Sequence, residues 1–132
     1  MEVVPFSSEA YEGLADVKGL VRFENDILYL EFQTQDAFLG VVKSQMKQIQ
    51  IPVRDVVLVD LEGRFRHHLI LQVRRLDLVA DLPKSEGGHI KLRINRRHRP
   101  AAGDLISEIK LRLSELRYNQ VVEEGQSFEE GS

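Results

Sequence analysis

The sequence predicts a mainly β fold, a curved barrel or sandwich of about seven antiparallel strands capped by one C-terminal α-helix. Three observations predict it. Apolar and polar residues alternate through most of residues 19–95, which is the period of a half-buried strand. Turn residues interrupt the alternation at hairpin spacing, with no helical segment between strands, which argues against a parallel α/β sheet. The single long helical pattern comes last, from Pro100 to Arg117.

Each element follows from its residues. Residues 1–18 read as a lead-in that packs on the domain. There Ser7-Ser8-Glu9-Ala10-Tyr11-Glu12 suits the start of a short serine-capped helix, limited by Gly13. Val3, Phe6, Tyr11 and Leu14 are its apolar anchors. Gly19–Glu24 is a first strand. Asn25-Asp26 is a two-residue hairpin turn, because both residue types tolerate positive φ. Ile27–Gln33 is the return strand. Residues 36–48 fit either a loop with an apolar anchor or a strand extension. Gln48–Val53 is a strand that ends at Pro52 or lies on an edge, since proline donates no hydrogen bond. Asp55–Leu61 is almost continuously apolar, which suggests a strand covered on both sides. Arg64–Arg75 alternates over a long span, with His67 and His68 on opposite faces. Leu76–Leu82 is read as a further strand, Pro83–Gly88 as a turn and His89–Asn95 as the last strand. In the closing helix Ala102, Leu105, Ile106, Ile109, Leu113 and Leu116 fall within an arc of about 100°. Pro100 suits its first turn. Leu111 lies far from that apolar stripe.

Composition sets the class. The chain has 132 residues, enough for one domain with a real core, with 42% hydrophobic and 30% charged residues. No apolar run approaches the roughly 20 residues of a membrane span. The start of the sequence lacks the pattern of a secretory signal. There is no cysteine, which removes disulfides and thiolate chemistry and makes a cytoplasmic setting the expectation. The net charge of −3 is unevenly distributed. Residues 1–16 and 121–132 carry eight acids and no Lys or Arg, so residues 17–120 hold all 18 cations against 13 acids, a net of +5. The expected organisation is a lead-in at 1–18, a β domain with its helix at 19–118, and an acidic, disordered tail at 119–132.

The opening Lys18-Gly19-Leu20-Val21-Arg22-Phe23 with Leu28-Tyr29-Leu30-Glu31-Phe32 resembles the first hairpin of bacterial pleckstrin-homology-like (PH-like) domains. Ile51-Pro52-Val53-Arg54-Asp55-Val56 is similar to the entry to their fourth strand, and Ile90–Ile94 leading into Pro100–Leu116 to their last strand and helix. The resemblance spans residues 18–117. It implies a curved barrel with a capping helix that binds phosphoinositides, peptides or proteins, and fold alone does not choose among these. Eukaryotic lipid-binding members place a basic motif around the first hairpin turn. Here that turn is Glu24-Asn25-Asp26, with Lys18 and Arg22 the nearby cations, and the tryptophan common in their helix is absent.

Catalysis is not expected. The sequence has no G-x-S-x-G, Walker or dinucleotide pattern. His67-His68 cannot ligate one metal from opposite strand faces, and no cofactor is implied. Asp77 and Asp81 sit about 13 Å apart along an extended strand, too far to act as a pair. The densest local feature is Lys91, Arg93, Arg96, Arg97 and Arg99, five cations in nine residues without an acid. Its plain reading is a solvated edge that discourages strand pairing. Its sharper reading is an anion site before a helix N-terminus, taking a lipid headgroup or nucleic-acid phosphate. Sparse aromatics argue against base stacking. Leu111 on the helix and Arg54 at a strand entry are candidate partner contacts. The expected function is a non-enzymatic interaction module, binding a protein or its own copies through a strand edge or helix surface. The alternative is the anion-binding module.

Overall fold

Alternation in the sequence becomes one sheet of seven antiparallel strands followed by a single long helix. The computed structural model describes residues 3–10, 15–36, 39, 45–82 and 85–130, the side chains of 9, 10 and 124–130 excepted. The strands are β1 (Val3–Ala10), β2 (Ala15–Glu24), β3 (Ile27–Asp36), β4 (Lys47–Pro52), β5 (Val56–Glu62), β6 (His67–Val73) and β7 (His89–Ile94), and the helix is α1 (Arg99–Glu130). The sheet order is β4-β3-β2-β1-β7-β6-β5. Two meanders, β1–β4 and β5–β7, are therefore joined by a pairing of the first strand with the last.

The β2–β3 hairpin forms as its turn residues require. Glu24 pairs with Ile27 across a two-residue loop, and Asn25 and Asp26 take φ of 53° and 63°. Period-two alternation buries Val17 and Val21 from β2, Leu28, Leu30 and Phe32 from β3, and Ile90, Leu92 and Ile94 from β7 in one core. The helix adds Ala102, Leu105, Ile106, Ile109 and Leu113, and Leu116 is partly buried against the same core. Pro52 ends β4, which lies at a sheet edge where a missing donor is tolerated.

Four expectations change. First, residues 3–10 form no lead-in helix: β1 occupies the middle of the sheet, with Val4 and Phe6 buried. Pairing with β2 along its whole length outweighs the weak local helix signal. Val3 is exposed, and Tyr11 and Leu14 lie outside the described residues. Second, Leu76–Val79 is a 3₁₀ turn rather than a strand. Val79 and Leu82 are buried while Leu76 is exposed. The Ser85 hydroxyl closes the segment, its one proton shared between the Val79 and Leu82 carbonyls at 2.8 and 2.7 Å. Third, β5 is an edge strand, not one covered on both faces. Its register shifts between Val56 and Leu58, so Val56 and Val59 turn inward while Val57 and Leu58 face out. Fourth, the backbone of α1 stays helical to Glu130, beyond the Arg117 boundary read from the apolar stripe. Most of the 36–48 segment lies outside the described residues; within it Leu39 is exposed in a turn and Lys47 already belongs to β4.

The helix ties the two meanders together. Arg112 grips Asp26 of the β2–β3 turn in a bidentate pair at 2.8 and 2.9 Å. Two residues earlier, Lys110 reaches Asp60 of β5 at 3.3 Å.

Candidate anion-binding cleft

The junction between the meanders is also their weakest seam. β1 pairs with β2 through eight residues, but with β7 through Ser7 and Arg93 alone among the described residues. A cleft of about 490 Å³ lies there, lined by Ser7, Ser8, Asp16, Lys18, Arg66, His68, Lys91 and Arg93.

Strand register explains the convergence. Lys18 pairs with Ser7, Ser7 with Arg93, and Arg93 with His68. These four residues form a row across β2, β1, β7 and β6. Lys91 stands two residues from Arg93 on the same face of β7. Arg66 enters from the loop before β6. That loop begins at Gly63, whose φ of 107° strains other residues and where a Cβ would strike the Arg66 carbonyl.

The charges in the cleft lack internal compensation. Among the described residues outside the cleft, Arg22 pairs with Glu24 at 2.8 Å and Glu31 at 3.2 Å and stacks 4.0 Å over Tyr29, Arg75 pairs with Asp77, Lys110 with Asp60 and Arg112 with Asp26 and Glu115, while scattered exposed cations such as Arg54, Arg96 and Arg99 make no ion pair. Among the described residues, Lys18, Arg66, Lys91 and Arg93 make no side-chain hydrogen bond or ion pair. Against these four cations stands the carboxylate of Asp16, so the lining carries a net +3 with His68 neutral. Partial burial holds the His68 imidazole below its ordinary pKa, and the fields of Lys91 and Arg93 push it the same way. The second of these causes, the positive field of Lys91 and Arg93, also favours a bound anion.

The cleft offers donors suited to oxygen anions: guanidinium forks, ammonium groups and the Ser7 and Ser8 hydroxyls. Neither hydroxyl is hydrogen-bonded to His68 among the described residues, and an activated serine needs such a base. His67 is buried on the inner face and His68 half-buried on the outer one, as alternation requires.

Of the five cations singled out in the sequence, the structure brings Lys91 and Arg93 into the cleft. Arg96 and Arg97 are exposed in a 3₁₀ turn, Arg99 is exposed at the first residue of α1, and none of the three lines the cleft. The Asn95 side chain already accepts the Arg97 amide at 3.1 Å. Leu111 is 62% exposed and Arg54 is exposed at the β4–β5 corner; neither touches the cleft. Lys18, Arg66, His68 and the two serines were missed. Alternation marks Lys18 and His68 as outward-facing, but nothing local says that β2 and β6 flank the same seam.

Comparison with protein-family models, curated proteins and solved structures finds no match for this chain. Among the described residues no helix is long and apolar enough to cross a membrane.

Proposed function

We propose that this chain is a non-enzymatic binding module whose seam cleft holds a phosphate-bearing anion. One observation carries the reading: four cations from β2, the β5–β6 loop and β7 converge on one cleft without an ion-pair partner among the described residues. A cleft lined by one sign of charge focuses the field and raises the local concentration of an external anion. The order of seven strands and a helix supports the PH-like relationship as part of the same proposal, with the ligand site moved from the first hairpin turn to the outer face of the sheet.

The test separates the cleft from the basic run. Backbone amide shifts are followed while inorganic phosphate, tripolyphosphate or a short oligonucleotide is titrated in. Shifts are expected at Ser7, Lys18, His68 and Arg93, lost in Lys91→Glu/Arg93→Glu and kept in Arg96→Glu/Arg97→Glu. The reverse pattern, or no shift with any of these anions, defeats the proposal.

A second reading, association with a protein or a further copy, has its own support. Leu111 and Tyr118 are 62% and 69% exposed and, seven residues apart, share one face of α1. Sedimentation of the wild type against Leu111→Glu tests it: a self-associating chain becomes monomeric in the variant, and a chain already monomeric at high concentration rules out self-association through this face.

A further inference from the structure

The geometry points to a ligand with linked phosphates, two or more in a chain, in preference to a single phosphate ion. This rests on reading the cleft as the anion site and specifies what that site selects.

Charge favours more than one phosphate. Four cations and one carboxylate leave the lining at +3. A single phosphate at neutral pH carries between one and two negative charges, so it leaves like charges facing one another across the cleft. A chain of two or three phosphates carries more negative charge and offsets the lining more fully.

The placement of the donors favours an extended ligand. Donors stand on both walls of the seam: Ser7 and Lys18 on the β1–β2 side, Lys91, Arg93 and His68 on the β7–β6 side. Lys18 and Arg93 are two strands apart, about 10 Å between Cα atoms at ordinary strand spacing. Lys91 and Arg93 are separated by about 7 Å along β7. Arg66 lies beyond His68, in the loop just before β6. To enclose one phosphate, all four side chains would bend to a single point and crowd their charges. A phosphate chain laid in the seam lets each cation meet a different oxygen from its own wall.

The size of the cleft agrees. At about 490 Å³ the cleft falls in the range of pockets that hold organic molecules, far beyond the needs of one tetrahedral ion.

Linked phosphates occur free, as polyphosphate, and on nucleotides; their shared chemistry is the chain of bridged, multiply charged groups. The experiment is calorimetric titration of the whole chain with inorganic phosphate, tripolyphosphate and a nucleoside triphosphate at constant ionic strength. Tripolyphosphate is expected to bind at least about tenfold more tightly than phosphate, by analogy with the steep dependence of polyanion binding on the number of phosphates contacted. Lys18→Ala/Arg66→Ala and Lys91→Ala/Arg93→Ala are each expected to weaken it, with unchanged circular dichroism showing that the fold persists. A nucleoside triphosphate equal to tripolyphosphate supports recognition of the phosphate chain alone; tighter binding supports a nucleotide as its source. Phosphate and tripolyphosphate binding within twofold of each other overturns this inference while leaving the anion-binding reading intact. So does tripolyphosphate affinity unchanged by Lys18→Ala/Arg66→Ala. Failure of all three ligands to bind overturns both.

Discussion

His68 shows how one residue takes its properties from strands remote in sequence. It is half-buried, pairs with Arg93 of β7, and has Glu62 of β5 opposite on its other side. Lys91 and Arg66 add positive field, and Lys18 and Asp16 share the cleft. Burial and these cations place its folded pKa below the ordinary 6.5. The unfolded chain then binds more protons than the folded one as pH falls through 6.5, so this residue's contribution to stability is present above that value and is lost toward acid. His68→Gln is expected to flatten the loss of stability on acidification, seen as a smaller fall in urea midpoint between neutral and mildly acidic pH. NMR titration of the imidazole supplies the direct check. A midpoint at or above 6.5 without ligand contradicts the charge distribution, and added tripolyphosphate should move the midpoint up.

Among elements, the segment from Leu76 to Leu82 separates two periodicities. Read at period two, Leu76, Leu78, Ala80 and Leu82 share a strand face. With Leu76–Val79 folded as a 3₁₀ turn, Val79 and the following Leu82 go inward at 1% and 3% exposure while Leu76 remains 55% exposed, so Leu76 and Leu82 no longer share an environment. Leu82→Ala is therefore expected to cost about 2–5 kcal/mol, as for a buried leucine. Leu76→Ala is expected to stay within about 0.5 kcal/mol. Chemical denaturation of the two variants decides the matter, since a strand predicts similar losses for both. The same weakness of short apolar runs as a signal explains β5, where a register shift turns a continuous run into an exposed edge. Strong, long patterns were legible: the Asn25-Asp26 hairpin, β7 and the core face of α1 each follow from residues adjacent in sequence.

At the scale of the molecule, the cleft depends on how two meanders meet. β1 and β7 stand at opposite ends of the described strand sequence, yet the Ser7–Arg93 pair joins them in the middle of the sheet. Their brief pairing opens the seam that becomes the cleft. The helix compensates from the other face, anchoring the first meander through Asp26 and the second through Asp60. The Arg112 pair also holds the Asp26 carboxyl below its ordinary pKa.

The amino-acid sequence by itself determined the strand-rich class, the tight hairpin, the inward faces of most strands and the closing helix, because these depend on local periodicity and on residues that admit unusual φ. It also marked Lys91 and Arg93 as outward cations. Only the tertiary structure decided that β1 is a strand, that it lies beside β7, and that Lys18, Arg66 and His68 join those cations while Arg96, Arg97 and Arg99 do not. Pairing between distant strands is set by the summed burial of a shared core, and no window of neighbouring residues contains that sum.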